Sequence, residues 1–226
     1  MTAKFEDAVR LYSMKRWDSA LQAFQGVDAS KFSTEEKTEL AYYMGLCYTK
    51  LERHNDAILY FEQVVTGEAS PLRICQCRLT LAYIYMITKR PRMAEFELER
   101  LIKNGFKSVQ IYTMMAYAAW MQKQFDRAVK MYESALDIDP DNTTAMNGLG
   151  FLLVENGADL RRGLDLCRKA VDKRPQNAAY MDSLGWAYYK TGQLVEARQW
   201  LRRALDLAPR QKDISSHMKI LVANAS

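Results

Sequence analysis

Residues 178–209 read AAYMDSLGWAYYKTGQLVEARQWLRRALDLAP, and residues 145–171 read AMNGLGFLLVENGADLRRGLDLCRKAV. Both stretches carry a small residue, an aromatic or apolar residue three positions later, and an alanine or glycine about a dozen positions on. A chain that repeats one phrase at a period of about 20–50 residues builds a stacked array, because each unit is too small to bury its own apolar face. The repetition therefore decides the fold class before any residue is given a role.

The pair Gly185 and Ala197 anchors the frame, and it recurs as Ala8 with Ala20, Gly45 with Ala57, Ala82 with Ala94 and Ala116 with Ala128. Gly150 and Gly163 continue it after one inserted residue. Six units follow, near 1–37, 38–74, 75–108, 109–142, 143–177 and 178–210. Each holds two amphipathic stretches of helical period, such as LAYIYMITK and MAEFELERLIK, separated by a short polar turn such as KRPR. Two helices pack closely only where small side chains sit at their crossing. Each unit is thus expected to be a tight antiparallel hairpin, with Gly185 lying against Ala197 and Leu184, Tyr188 and Leu201 filling the space around them.

The boundaries follow cap rules. Ser33 and Glu36 spell a capping box, and Ser70 before Pro71 spells an N-cap followed by proline in the first turn. Pro140, Pro175 and Pro209 fall just beyond helical stretches, where proline stops a helix. The first two units lack that proline and carry about three extra residues at the junction. After the last unit, Asp213 is expected to be an N-cap, with Ile214, Met218, Leu221 and Val222 on one face of a capping helix over 213–224. The sum is about thirteen helices in a single solenoid domain spanning 1–226.

Composition excludes several classes of function. The chain has 226 residues, 49% hydrophobic and 26% charged, with a formal charge of +5, which suits a folded chain and argues against disorder. No apolar run reaches the roughly 18 residues of a membrane span, and the opening MTAKFEDAVR does not resemble a secretory signal. Four cysteines without disulfide spacing favour a reducing, cytoplasmic setting. His54 and His217 are the only histidines, and Cys75 and Cys77 point to opposite sides of a helix, so no metal site is expected. GLGFLL at 148–153 completes only half of a dinucleotide fingerprint and follows no strand. Neither a cofactor nor enzymatic activity is expected.

These residues resemble the tetratricopeptide repeat family. The fourth unit shows Ala116, Ala128, Tyr132, Ala135 and Pro140; the sixth shows Gly185, Tyr188, Ala197, Leu201, Ala204 and Pro209. The second unit carries Gly45, Tyr48, Ala57 and Phe61, and the third Ala82, Tyr85, Ala94, Leu98 and Leu101. The resemblance implies an all-α, right-handed superhelical solenoid of six helix-turn-helix repeats plus the capping helix, with the first helix of each repeat lining a concave face. Residues about 120° from the hairpin contact then face inward. They are Phe5, Val9 and Tyr12; Tyr42, Leu46 and Thr49; Leu79, Tyr83 and Met86; Thr113, Tyr117 and Trp120; Asn147, Phe151 and Val154; Asp182, Trp186 and Tyr189.

Down the middle of those triplets run Val9, Leu46, Tyr83, Tyr117, Phe151 and Trp186, an apolar column that becomes aromatic toward the C-terminus. Such a stripe is expected to bind an apolar or aromatic peptide, or a helix, of a partner protein, making the chain a non-catalytic scaffold or adaptor in assembly of a multiprotein complex. The alternative use of the same rings is packing on one another. Family members that grip acidic chaperone tails use basic residues and asparagine on these faces, whereas Phe5, Val9, Tyr43, Gln76 and Thr80 stand here, so an acidic chaperone C-terminus is not the expected ligand. A basic outer face at Arg161, Arg162, Arg168, Arg198 and Arg202 offers the alternative of RNA or another polyanion, although the apolar inner column does not suit base reading. Self-association through an uncovered end is a third reading.

Overall fold

The computed structural model describes residues 3–67 and 70–224. Among the described residues the chain forms thirteen α-helices and no strand. They divide between two compact units, one ending at Lys107 and the other beginning at Ser108. The first contains α1 (Ala3–Ser13), α2 (Trp17–Gln25), α3 (Thr34–Lys50), α4 (His54–Thr66), α5 (Pro71–Ile87) and α6 (Pro91–Lys103). The second contains α7 (Val109–Met121), α8 (Phe125–Ile138), α9 (Thr143–Glu155), α10 (Leu160–Lys173), α11 (Ala178–Lys190), α12 (Leu194–Leu207) and α13 (Lys212–Asn224). Odd and even helices pair as hairpins through α12, and within each unit the second helix of a hairpin also packs on the first helix of the next. This is the all-α superhelical repeat fold.

One turn joins the two helices of every hairpin. Lys15, Glu52, Lys89, Lys123, Gly157 and Gly192 all have φ between 58° and 80°, the left-handed region. In each case the following residue donates its N–H to a carbonyl five residues back, as Arg16 does to Leu11 at 3.0 Å and Gln193 to Tyr188 at 2.9 Å. This is a Schellman closure, which satisfies carbonyls that the helix end would otherwise leave orphaned. The residue inserted in the fifth unit is absorbed here. Ala158 follows Gly157 in the turn, and Asp159 then caps α10 by accepting from the Arg162 N–H at 2.9 Å.

The remaining starts and stops follow the chain's spelling. Ser33 and Glu36 make the reciprocal capping box, Ser70 accepts from Arg73 N–H ahead of Pro71, and the three prolines lie two residues past α8, α10 and α12. Asp213 departs from expectation: it lies inside the first turn of α13, which begins at Lys212.

The hairpin crossings are as close as the small residues allow. A Cβ placed on Gly150 would stand 2.8 Å from Cys167 Sγ and 2.9 Å from the Gly163 carbonyl oxygen; one on Gly163 would stand 2.6 Å from Val154 and 2.8 Å from the Gly150 oxygen. The α9 and α10 backbones therefore touch through two glycines. At Gly185 the nearest atoms belong to Leu201 at 2.8 Å, so the vacant side-chain space receives a residue one turn beyond Ala197. Gly45 is filled in the same manner by the Phe61 ring at 2.9 Å. Three of the four cysteines, Cys47, Cys77 and Cys167, are buried, and desolvation pushes each thiol up to about 12, which marks them as packing residues.

Two opposite effects on stability follow. Gly150→Ala forces an atom into occupied space and is expected to destabilise by about 1–3 kcal/mol. Lys123→Gly relieves a left-handed lysine at φ 60° and is expected to stabilise by ~0.5–1 kcal/mol after the glycine's extra unfolded-state entropy is offset. Urea denaturation of the two variants beside the parent chain measures both.

Candidate functional site

The first helices of the second unit supply a row of inward residues by simple helical spacing. On α7, Tyr117 and Trp120 are one turn apart, exposed, with ring centroids 5.5 Å from each other. On α9, Asn147, Phe151 and Glu155 recur every fourth residue and so share a face. On α11, Asp182 and Trp186 do the same. Helix α13 brings Asp213, Ser216, His217 and Ile220 to the same space, and together these residues line a cleft of about 590 Å³. Gly148 belongs to its floor: with no side chain it lets the Tyr132 ring of α8 come against α9. Burial first, and then the nearby Tyr117, pushes the Tyr132 hydroxyl well above the ordinary tyrosine range, so it stays protonated there.

The C-terminal wall is a connected stack. His217 places Nδ1 3.0 Å from both Asp182 carboxylate oxygens, and its ring lies parallel to the Trp186 indole at 4.3 Å. Tyr189 stacks on the same indole at 4.9 Å, and Trp186 Nε1 donates to Glu155 Oε2 at 2.6 Å. Lys190 sits at the edge, 3.6 Å from that oxygen and 5.1 Å from the centre of the indole. Trp186, His217, Tyr189, Glu155 and Lys190 are each held by at least two neighbours, and Asp182 is held by His217.

Against the sequence-predicted inner face, the outcome is mixed. Tyr117, Trp120, Asn147, Phe151, Asp182 and Trp186 all line the one cleft. Trp186, however, is only 5% exposed, and Asp182 is also buried, because His217 covers both. Tyr189 is half-buried behind the indole, with its hydroxyl accepting from Asn224.

In the first unit, Tyr83 is half exposed, whereas Tyr42 and Leu46 are half-buried and the Arg73 guanidinium covers the Tyr42 ring at 3.7 Å. Met86 was expected on the open face and is buried. The exposed neighbour of Tyr83 is Ile87, since the open stripe of α5 advances by four residues there and not by three. Phe5 is likewise in the core, edge-on to Phe24 and Tyr43.

Val222, expected on the packed face of α13, is exposed; Ile214 and Leu221 are the buried pair, with Met218 packed beside Leu221. His217 was not recognised as a site residue, although it lies on the stripe of Ile214 and Leu221 at helical spacing. Arg161, Arg162, Arg168, Arg198 and Arg202 are all exposed. Arg162 pairs with Glu133, and Arg168 with Asp165 and the Tyr188 hydroxyl. Among the described residues no cluster of His, Cys, Asp and Glu could hold a metal ion, and no helix is long and apolar enough to cross a membrane.

Hairpins of this geometry, stacked first helix beside first helix around an aromatic cleft, define an all-α helical-repeat protein. Residues 39–66, 119–159 and 143–210 each match the tetratricopeptide repeat, and the chain belongs to that family. It is 22% identical over 184 residues to the human mitochondrial import receptor subunit TOM70, covering 80% of this chain and 30% of that protein. The chain thus spans less than a third of the length of that relative. Its fold is shared with one chain of the structure described as the APC/C hetero-tetramer Cut9-Hcn1, at a TM-score of 0.74 and 11% identity over 96% of this chain and 42% of that one. It is shared also with YrrB, described as a TPR protein with an unusual peptide-binding site, at 0.60 and 16% identity over 88% and 99%.

The stack gives a measurable expectation. His217→Ala leaves the Asp182 carboxylate buried without its partner and uncovers the indole, so urea denaturation should show a loss of about 1–3 kcal/mol. The native tryptophan emission should shift to longer wavelength in the same variant.

Proposed function

We propose that the chain is a non-catalytic adaptor whose second unit receives a segment of a partner protein, an extended peptide or one helix, in the cleft between α7, α9, α11 and α13. The observation that carries this reading is the exposure of Tyr117 and Trp120 at 43% and 39%, beside half-buried Phe151, in a concave space large enough for several side chains. Rings left open in a concavity, and not spent on packing, are what interface anchors are made from. The family's general role as protein-interaction scaffolds supports the same reading, as does the peptide-binding site named for YrrB. Assembly of a multiprotein complex is the setting such an adaptor serves.

Self-packing accounts for part of the column only. Trp186 is consumed by it, held between α11 and α13, while Tyr117 and Trp120 keep open surface. The variants that test binding are therefore Tyr117→Ala and Phe151→Ala, and Trp186→Ala is unsuitable because removing a buried indole costs about 3–5 kcal/mol. With the wild-type chain as bait, a partner captured from lysate and identified should be recovered at least about tenfold less by either variant, at a melting temperature within a few degrees of the parent. Equal recovery by wild type and both variants would overturn the groove as the binding site.

A further inference from the structure

The cleft's open rings and its charge ask for one kind of ligand. Three carboxylates, Glu155, Asp182 and Asp213, line it, and no lysine or arginine does. Of these, Asp182 is turned to His217, and Glu155 binds the indole N–H through Oε2 while Oε1 has no hydrogen bond among the described residues. Asp213 is exposed and has no ion pair among the described residues. The carbonyl oxygen Oδ1 of Asn147 is buried and has no hydrogen-bond partner among the described residues. Two hydroxyl donors on the same walls are already used: Ser183 donates to the Ala179 carbonyl, and Ser216 to that of Lys212.

An aromatic face is itself an acceptor of positive charge, because its quadrupole is negative above the ring. The protein already exploits this at the edge of the cleft, where Lys190 stands over the Trp186 ring and beside Glu155. Beyond that occupied position, the faces of Tyr117, Trp120 and Phe151 remain, with Trp120 edge-on to Phe151 at 6.3 Å. A planar group carrying several N–H donors and a weakly hydrated charge can stack on such rings and reach acceptors on neighbouring helices at once. A guanidinium meets that description better than an ammonium, whose compact charge is strongly hydrated.

We infer that the segment bound in this cleft presents an arginine side chain, stacked against the α7 and α9 rings and hydrogen-bonded to the free acceptors of α9 and α13. The inference rests on the cleft being the partner site, and it adds charge to a ligand that sequence reasoning described only as apolar or aromatic. An incoming carboxylate would meet Glu155 and Asp213, and Lys190 at the edge is already paired with Glu155.

The test uses the full chain and a phage-displayed library of random dodecapeptides, counter-selected on Tyr117→Ala and on Phe151→Ala. Clones that depend on both rings should carry arginine beside apolar residues. In the synthetic peptide, arginine→citrulline, which keeps the shape and removes the charge, should weaken binding by about tenfold in fluorescence titration. Asp213→Asn should weaken the arginine peptide several-fold and leave the citrulline peptide unchanged. Ring-dependent clones without arginine, or equal binding of the citrulline peptide, would overturn the inference and leave the cleft as a binding site. Failure to select any ring-dependent clone would remove the cleft as the binding site, and the inference with it.

Discussion

The structure depends on how closely two helices of one hairpin can cross. Where Gly150 meets Gly163, backbone touches backbone, and no side chain larger than a hydrogen fits. Where Gly185 and Gly45 stand, the vacated volume is filled by Leu201 and Phe61 from the facing helix. These contacts set the hairpin as a rigid wedge, and the left-handed turn residue that closes each wedge is repeated six times with nearly the same φ. Dense packing transmits such geometry without slack. The orientation of every inward side chain in a unit is therefore inherited from a contact on the opposite side of its helix.

That inheritance explains what was legible in the sequence. Period, hairpin partners and most helix ends are local matters, read from small residues twelve or thirteen apart, from Ser33 with Glu36 and from proline after the second helix; the cap expected at Asp213 is the exception, since α13 begins at Lys212. The direction of Tyr117, Asn147, Phe151, Asp182 and Trp186 follows from helical angle alone, and these five share one cleft. Exposure is different, because it depends on what a distant element lays over a face. Trp186 points where its spacing says, but α13 covers it, and the covering residue is a polar histidine on an otherwise apolar stripe. Met86 fails for a related reason: an offset of one position between the open stripe of α5 and the frame taken from another repeat exchanges Ile87, which is wet, for Met86, which is dry.

The first unit shows the cost of leaving the regular pattern. Its junctions lack the stopping proline, and capping side chains take over that work at Ser33 and Ser70. Its interior also holds charge. Arg78 and Glu97 pair in the core between α5 and α6, with desolvation raising the Glu97 carboxyl despite the attraction of Arg78. A buried pair of this kind adds little net stability over an apolar pair, yet breaking it leaves a charge stranded. The pair lies in the hairpin where Ala82 and Ala94 carry the crossing without a glycine.

In the second unit α13 does two jobs with one stripe. Ile214 packs with Met181 and Ala204, and Leu221 with Ala197 and Leu201, so one face covers apolar surface of the last hairpin. Between them, His217 reaches the adjoining side and immobilises Asp182 and Trp186. Burial that pays for folding thus also orders a wall of the cleft before any ligand arrives. Binding loses free energy to whatever must be frozen at the interface, and side chains already fixed by two or more neighbours have little left to lose. Tyr117, Trp120 and Phe151 are large rings with only two side-chain torsions each, which offer much contact area for little entropy. A site arranged in this way can hold a flexible partner segment, because nearly all the ordering cost falls on the partner.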